Sequence, residues 1–208
     1  MATTTLSKTA AQALLAHTQQ ATATITVGSA VDVSSKVGPA TAFVKMGRSV
    51  ATALSNNVRF RIEGSSKTSG NDEWVPLVEW TSQNGTTAAS ASTVNDGAFN
   101  SADTSFTITS ATGFAAGDQI YLRETGTPAN SEWTRVSGVV STTVSLEEGV
   151  TRGHTNGIAV TDLAESFAVL LDLAGQVRVR LVVDTASAPS GQTVDVIAWL
   201  VTADAFSS

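Results

Sequence analysis

The sequence predicts an all-β protein: an antiparallel, jelly-roll-like β-sandwich that carries an inserted small β-barrel or sandwich module and begins with a short helix or arm. Three observations predict this fold. Apolar and polar residues alternate with a period of two over most of the chain after residue 23. Thr and Ser, which suit strands and turns, are abundant, whereas the helix-favouring Lys and Glu are scarce. Gly residues punctuate the middle of the chain at short intervals, as expected of short strands joined by turns.

The first twenty residues have a different pattern. Leu6, Ala13, Leu14 and His17 recur at helical spacing, and neither Gly nor Pro interrupts them. This spacing predicts a short helix within residues 1–22. Because an isolated helix of this length is marginal in water, it needs a surface on which to lie. The alternative for this segment is a terminal arm that frays from the domain.

Strict alternation marks a pair of strands in the first half of the chain. An apolar row of Val58, Phe60 and Ile62 alternates with a charged row of Arg59, Arg61 and Glu63. The next run, residues 74–80, again places its apolar residues on one face, and the polar residues 64–72 predict a hairpin loop between the two. Pro76 within the second run indicates an edge position or a bulge.

Three consecutive segments near the C-terminus show the alternation most clearly. They cover residues 167–173, 177–183 and 194–200. Ala174-Gly175 and the polar residues 187–192 supply turns between them, so the three strands are predicted to form a meander.

Two arginines in the second of these segments face away from the predicted core. Arg178 and Arg180 are expected to pair across strands with Asp172, Asp195 or the charged residues of segment 59–63. Exposed pairs of this kind mainly set the strand register, at about 0.2–1 kcal/mol each.

The middle of the chain has shorter predicted strands and denser turns. These strands lie at residues 106–108, 120–122, 133–140 and 144–146. Because neither flanking segment has enough strands to cover a core alone, we expect the two to complete one another across an inserted module. The predicted division is an arm at 1–22, a sandwich domain at 23–95 plus 165–208, and an inserted module at 96–164. The alternative is one continuous sandwich of about twelve strands.

Charge and composition exclude several classes of function. The net charge of −6 and the pI of about 4.8 disfavour binding to phosphate backbones, so nucleic acid is not an expected partner. Without cysteine the chain forms neither disulfides nor thiolate metal sites. No apolar run approaches membrane-spanning length, and the N-terminus lacks the pattern of a secretory signal. We therefore expect no membrane association, and synthesis inside a cell.

The sequence offers few parts for catalysis. Its two histidines, His17 and His154, lie in the predicted helix and in a Gly-flanked turn, and no G-x-S-x-G elbow activates a hydroxyl. Adjacent acids such as Glu147-Glu148 point to opposite faces of a strand, so they do not form a catalytic pair. Neither a calcium-binding loop nor a phosphate-binding Gly loop occurs. We expect no enzyme activity, no catalytic residue, no metal and no cofactor.

Large aromatic residues suggest two roles. Five of them lie in predicted strands: Trp74, Trp80, Tyr121, Trp133 and Trp199. Flat rings on a sheet surface can stack on sugar faces, but a large ring in a strand more commonly fills a core or a subunit interface. The structural role is favoured, and the sugar-binding role stays open.

Several stretches of the flanking segments resemble virion proteins of tailed bacteriophages. They read TAFVKMGR at 41–48, FRIEGSSK at 60–67, NDEW at 71–74 and VRVRLVVD at 177–184. In the middle of the chain, FTI at 106–108, GFAAGDQI at 113–120 and HTNG at 154–157 are similar to small β modules of phage head and tail proteins. These are packing and turn patterns, so no functional residue is carried over from them.

The resemblance implies a capsid decoration (cement) protein, a non-enzymatic part of the bacteriophage virion. Such a protein sits on the capsid surface, clamps neighbouring copies of the major capsid protein and is assembled in the host cytoplasm. The resemblance also implies a homo-oligomer, with a trimer favoured. Affinity then comes from buried apolar area and from symmetry-repeated contacts. We expect the N-terminal arm to reach onto a neighbouring subunit through Leu6, Leu14 and Leu15.

Two other classes of function remain open on the sequence. A tail or fibre component, or a receptor-binding module, would use Trp74, Trp133 and Trp199 to bind glycans. A hydrolase working through carboxylates would depend on Glu147 or Asp72.

Overall fold

The structure, a computed structural model, describes residues 10–20, 24–36, 38–70, 73–185 and 194–203. Within these ranges the protein is all-β, its one helical segment is the 3₁₀ turn Pro128–Asn130, and no helix is long and apolar enough to cross a membrane. The strands in chain order are β1 (Gln12–Gln20), β2 (Ile25–Val27), β3 (Val31–Asp32), β4 (Pro39–Arg48), β5 (Arg59–Ser65), β6 (Val75–Thr81), β7 (Ala91–Thr93), β8 (Ser105–Thr107), β9 (Gln119–Arg123), β10 (Glu132–Val140), β11 (Thr143–Leu146), β12 (Ala159–Thr161), β13 (Glu165–Asp172), β14 (Arg178–Asp184) and β15 (Val194–Val201).

Two antiparallel sheets pack face to face around one hydrophobic core. The first has four strands in the order β1-β15-β4-β13, and the second has the order β2-β14-β5-β6, with β3 also paired to β14. Phe60 and Ile62 on β5 and Val196 and Leu200 on β15 are fully buried in this core. Because alternate residues of a strand face the same side, the alternation in the sequence predicted these buried positions correctly.

The chain alternates between the two sheets in the manner of a jelly roll. It passes from β1 in the four-stranded sheet to β2 and β3 in the five-stranded sheet, returns to β4, and continues into the hairpin β5–β6. Strands β13, β14 and β15 then lie in the first, second and first sheet. With β2 and β3 counted as one interrupted strand, this is the eight-stranded, two-sheet arrangement of a jelly roll. The predicted all-β, jelly-roll-like sandwich is confirmed.

Strands β7 to β12 form a third sheet, which we call the inserted sheet because it lies between β6 and β13 in the chain. Its order is β7-β12-β9-β10-β11-β8, and a bridge between Val94 and Ile108 joins its two ends, so the sheet curls back on itself. It surrounds a separate hydrophobic cluster that includes Phe106 and Val144. It begins at Ala91, ahead of the predicted module boundary. The division of the chain into independently folding domains stays a prediction.

Four of the strands in the inserted sheet are those predicted from the sequence, namely β8, β9, β10 and β11. The other two, β7 and β12, were not predicted. Each has only three residues, which is too short for an alternation of polarity to be recognised. They pair with one another, and β12 also pairs with β9.

The predicted N-terminal helix is wrong for the part of this segment that the structure describes. Residues Gln12–Gln20 form β1, which pairs with β15. The register shifts on both sides of Leu15, and as a result Leu14 and Leu15 are both buried. A bulge interrupts the period of two along a strand, so the apolar residues of β1 have a spacing like that of a helix. Pairing with the long strand β15 makes this segment a strand. Residues 6–9 of the predicted helix lie outside the described ranges.

The predicted meander of the last three strands is also wrong. Strands β13 and β15 both pair with β4 in the four-stranded sheet, whereas β14 pairs with β5 in the other sheet. Each strand was recognised individually, but the alternation specifies only which face of a strand is buried and not which strand lies next to it. The turn expected at residues 187–192 lies outside the described ranges.

The hairpin predicted in the first half of the chain is confirmed as β5 and β6. Strand β6 lies at the edge of the five-stranded sheet, and its register with β5 shifts between Ile62 and Glu63, opposite Val78 and Pro76. Pro76 therefore lies on an edge strand next to a bulge. These are the positions that tolerate Pro in a sheet, because its missing N–H leaves no ladder hydrogen bond unmade there.

Charged side chains form ion pairs within and between the strands on the outer face of the five-stranded sheet. Glu63 binds Arg61 and Arg180, each at 2.7 Å, and Arg59 binds Glu79 at 2.7 Å. We call these five residues the charged ladder. The pairing of Arg180 with strand β5 is as predicted. The acids at 172 and 195 lie on strands of the other sheet, so the alternative pairings are wrong.

Candidate functional site

The two outer faces of the sandwich differ in polarity. The five-stranded sheet carries the charged ladder on β14, β5 and β6, and its exposed apolar residues Ile25, Val27 and Val75 lie on the outer strands β2 and β6. The outer face of the four-stranded sheet carries the half-buried side chains of Phe43 and Trp199 beside Leu170 on β13, which is 73% exposed. This difference makes the four-stranded sheet the better candidate for a contact surface.

The apolar side chains of the four-stranded sheet lie in two adjacent cross-strand rows. In one row, Trp199 on β15 lies between Ala13 on β1 and Phe43 on β4, and Phe43 is followed by a further alanine on β13. The rings of Phe43 and Trp199 stack with centroids 5.5 Å apart and planes inclined by 16°. The next row places Leu170 and Val201 on either side of a threonine. We call this set the sheet-face patch: Ala13, Phe43, Ala168, Leu170, Trp199 and Val201.

A buried polar cluster joins the inserted sheet to the sandwich. Asp195 on β15 accepts hydrogen bonds from the Tyr121 hydroxyl at 2.6 Å and from Nε of Arg123 at 2.8 Å, both on β9. His17 Nε2 lies 3.0 Å from the same hydroxyl, which accepts from His17 because it donates its own proton to Asp195. Gly47 on β4 lies against the Tyr121 ring, where a Cβ would come within 2.3 Å of the ring Cγ. We call these five residues the joint.

Burial shifts two ionisable groups of the joint. It raises the pKa of Tyr121 far above its ordinary value, and the neighbouring Asp195 carboxylate raises it further. It also lowers the pKa of His17, although the negative charge of Asp195 partly opposes this shift. At neutral pH the phenol is therefore protonated and can donate to Asp195, and the imidazole is neutral.

The joint was not predicted from the sequence, although the sequence carries two signals for it. Asp195 interrupts an otherwise apolar strand, and a charged residue inside such a strand indicates a buried partner. Gly47 lies within the long strand β4, and a glycine inside a strand indicates the close approach of another group. Neither signal names the partner, because Tyr121 and Arg123 are distant in sequence and meet these strands only in the folded chain.

Buried charged side chains also hold the connection that leads into the inserted sheet. Arg48, which is 1% exposed, donates hydrogen bonds to the carbonyl oxygens of Thr52 and Thr87. Glu165, at the start of β13, accepts the backbone N–H groups of Gln83 and Asn84 at 2.8 and 2.9 Å. The chain segments that enter and leave the inserted sheet are thus tied to one another beside the joint.

An open cleft of about 520 Å³ lies between the outer face of the four-stranded sheet and strand β10. Lys45 and Trp199 line it from the sandwich, and Trp133 and Arg135 line it from β10. Glu147, in the segment after β11, also lines the cleft and lies 3.5 Å from Arg135. Its volume is in the range of sites that bind small organic ligands.

The other predicted aromatic residues lie elsewhere. Trp80 packs on Phe60 with ring centroids 5.5 Å apart, at the margin of the sandwich core. Trp74 lies on the five-stranded sheet, with the guanidinium carbon of Arg180 4.1 Å from its ring centroid. The structure therefore brings only two of the three tryptophans proposed for glycan binding into one site.

His154 is buried between two carboxylates rather than exposed in a turn. Its Nδ1 lies 3.5 Å from Glu124, and its Nε2 lies 3.4 Å from Glu132. Burial raises the pKa of Glu132, but the nearby His154 ring and the hydrogen bonds from Thr151 outweigh this effect and leave the pKa below its ordinary value. Among the residues that the structure describes, neither ring nitrogen has a hydroxyl hydrogen-bond partner, so they supply no nucleophile for a Ser–His–Asp site at His154. Across the described ranges, no group of three or more His, Cys, Asp or Glu could hold a metal ion.

Two of the three residues expected to contact a neighbouring subunit lie in the core of their own chain. Leu14 is 0% exposed and Leu15 is 7% exposed, and both belong to the sandwich core. A contact of these side chains with a second subunit stays a prediction, and it requires β1 to leave β15 and exchange between subunits. Leu6 lies outside the described ranges.

Comparisons with known proteins give no family for this chain, because no protein-family model and no curated protein matches it. A chain from the structure of infectious bursal disease virus Gx strain aligns with 98% of this chain and 41% of its own length, at 7% identity and a TM-score of 0.26. VP17, a capsid protein of bacteriophage P23-77, aligns with 97% of this chain and 100% of its own, at 10% identity and a TM-score of 0.21. This chain thus spans less than half the length of the infectious bursal disease virus chain. At such TM-scores neither similarity supports an argument about function.

Proposed function

We propose that this protein is a virion structural protein without enzymatic activity, a capsid decoration (cement) protein that attaches to the major capsid protein of a bacteriophage head through the sheet-face patch. The observation that carries the proposal is the polarity of the two outer faces of the sandwich. One bears the charged ladder, whereas the other bears the stacked rings of Phe43 and Trp199 beside the exposed Leu170. A contiguous apolar patch of this kind marks an interaction surface, since covering it contributes about 25 cal/mol per Å².

The fold supports the same role. Eight-stranded jelly rolls recur in viral capsid domains, and they also recur in lectins, so the topology by itself does not choose between these functions. The resemblance of four stretches of the sandwich to tailed-phage virion proteins favours the first. Two of these stretches, at 41–48 and 177–184, coincide with β4 and β14, which lie at the centres of the two sheets.

Repetition strengthens the attachment in this proposal. A homo-oligomer, with a trimer favoured, presents one sheet-face patch for each copy, and after the first patch has bound the others bind intramolecularly. Each contact can then be weak while the assembly stays attached. The protein is made and assembled in the host cytoplasm and takes its place on the capsid surface.

The experiment replaces Leu170 with Asp and measures co-sedimentation of the purified protein with capsids assembled without it. The unmodified protein is expected to bind, and Leu170→Asp is expected to bind at least about tenfold more weakly, because a carboxylate in a dry interface is costly. Val140→Asp is the matched control, since Val140 is 77% exposed at the tip of the β10–β11 hairpin, outside the patch.

Mass measurement in solution gives the oligomeric state of all three proteins in the same experiment. The control is expected to bind like the unmodified protein. Failure of the unmodified protein to bind, or equal binding by the two variants, would contradict the proposed attachment surface.

A further inference from the structure

We propose that the cleft between the four-stranded sheet and β10 binds a neutral oligosaccharide. The cleft shares only Trp199 with the sheet-face patch, and the proposal does not depend on attachment to a capsid. It rests on three properties of the cleft: two fixed indole rings, a balanced set of charged side chains, and guanidinium groups that the protein already holds in place.

The two rings come from different parts of the fold and are fixed by their neighbours. Trp133 packs on Tyr121 with centroids 4.6 Å apart and meets His17 edge-on at 5.5 Å, so the joint holds it in position. Trp199 is held by its stack with Phe43. A sugar ring presents an apolar C–H face that packs on a flat indole, and rings that are ordered before binding lose little conformational entropy when the ligand arrives.

The charged side chains around these rings balance one another. The cleft is lined by three cations and three carboxylates: Lys45, Arg135, Arg152, Glu132, Glu147 and Glu148. With equal numbers of each sign, the cleft attracts neither a polyanion nor a polycation. Ionised groups nevertheless form strong hydrogen bonds to neutral hydroxyls, as donors or as acceptors. A neutral ligand that carries many hydroxyl groups fits this lining.

Two of the cations are held by backbone carbonyl groups in the segments before and after β9. Nε of Arg135 donates to the carbonyl oxygen of Gly117 at 3.1 Å, and a terminal nitrogen of Arg152 donates to the carbonyl oxygen of Ala129 at 2.7 Å. Because a guanidinium group carries five N–H donors, each side chain keeps further donors after these bonds are made. The remaining donors can therefore meet ligand hydroxyls at fixed positions.

The test begins with a glycan array that contains neutral and acidic glycans, probed with the purified full chain. Titration calorimetry then uses chitohexaose and maltohexaose as neutral probes, together with any neutral glycan that the array identifies, and a trigalacturonate as an acidic probe. We expect binding to at least one neutral glycan, with a dissociation constant between about 10 µM and 1 mM. We expect no binding to the acidic probe.

Variants locate the site. Trp199→Ala is expected to weaken binding at least about tenfold through loss of a stacking surface, and Glu147→Gln, an isosteric change at a half-exposed side chain, about threefold or more. Trp74→Ala is the matched control, because Trp74 lies on the opposite sheet beside Arg178 and Arg180. This control is expected to bind like the unmodified protein.

Three outcomes overturn the proposal: an array without any bound neutral glycan, binding confined to acidic glycans, or binding that neither cleft variant weakens. Failure here is distinguishable from failure of the proposed attachment to capsids. Leu170→Asp is expected to lose capsid binding and keep glycan binding, whereas Glu147→Gln is expected to do the reverse.

Discussion

Tyr121 of the inserted sheet packs directly against Gly47 in strand β4 of the sandwich, where a Cβ would lie 2.3 Å from the ring Cγ. No side chain larger than hydrogen fits between the ring and the strand without displacing one of them. This contact and the hydrogen bonds of Asp195 define how the inserted sheet is seated, so substitutions at the joint are expected to act on both parts of the molecule.

Gly47→Ala is expected to destabilise the protein by about 1–3 kcal/mol, because the added methyl group forces the Tyr121 ring away from Asp195. Gly138→Ala in β10 is the matched control, since no atom lies within 4 Å of the position of its added Cβ. Urea unfolding followed by tryptophan fluorescence measures both free energies. Equal stabilities of the two variants would show that the ring does not rest on Gly47.

Asp195→Asn is expected to destabilise the protein by about 3 kcal/mol, because it leaves the largely buried Arg123 without a charge partner. A double-mutant cycle with Arg123→Met measures the coupling, which is expected to exceed about 1 kcal/mol. Glu79→Gln on the exposed pair with Arg59 is the control and is expected to change the stability little. A coupling near zero would mean that the two side chains act independently.

Leu14→Ala is expected to cost about 2–5 kcal/mol, because Leu14 is fully buried in the sandwich core. Ala16→Ser, at an exposed position of the same strand, is expected to change the stability by less than about 0.5 kcal/mol. Thermal unfolding measures the stability of each variant, and mass measurement in solution gives its oligomeric state. Together they distinguish a role of Leu14 in the core of its own chain from a contact with a second subunit. A stable Leu14→Ala protein with a reduced oligomer mass would instead support strand exchange.

His17 is expected to make the protein less stable as the pH falls from about 7.5 to 5.5. Burial lowers the pKa of folded His17, so below its unfolded pKa of about 6.5 the unfolded chain binds a proton that the folded chain binds less readily. The neutral imidazole therefore contributes its full stabilisation above about pH 6.5, and this stabilisation is lost as the pH falls towards the pKa of folded His17. The groups that face His17 are Asp195, Arg123 and Tyr121.

Urea unfolding at several pH values compares the unmodified protein with His17→Gln, which is expected to show a shallower dependence on pH. The test compares the slopes of the two proteins because other groups also contribute to the pH dependence. Burial raises the pKa of Asp162, for example, so protonation of this group stabilises the folded protein as the pH falls, which is opposite to the effect of His17. Identical slopes of the two proteins would show that folding does not lower the pKa of His17.

The alternation of polarity in the sequence determined the fold class and the buried face of most long strands. In β5, for example, Phe60 and Ile62 face the core while Arg59 and Arg61 face outwards, because successive side chains of a strand point to opposite sides. The same rule failed at β1, where register shifts around Leu15 bring adjacent leucines to one side and produce the spacing of a helix.

Only the tertiary structure decided which strands are neighbours and where the polar clusters form. Strands β13, β14 and β15 carry the same apolar pattern, so nothing local assigns β14 to a different sheet from the other two. The joint and the cleft combine residues from segments that are far apart in the chain, such as Trp133 and Trp199. A local pattern specifies which side of a strand avoids water, whereas packing of the whole chain specifies what that side meets.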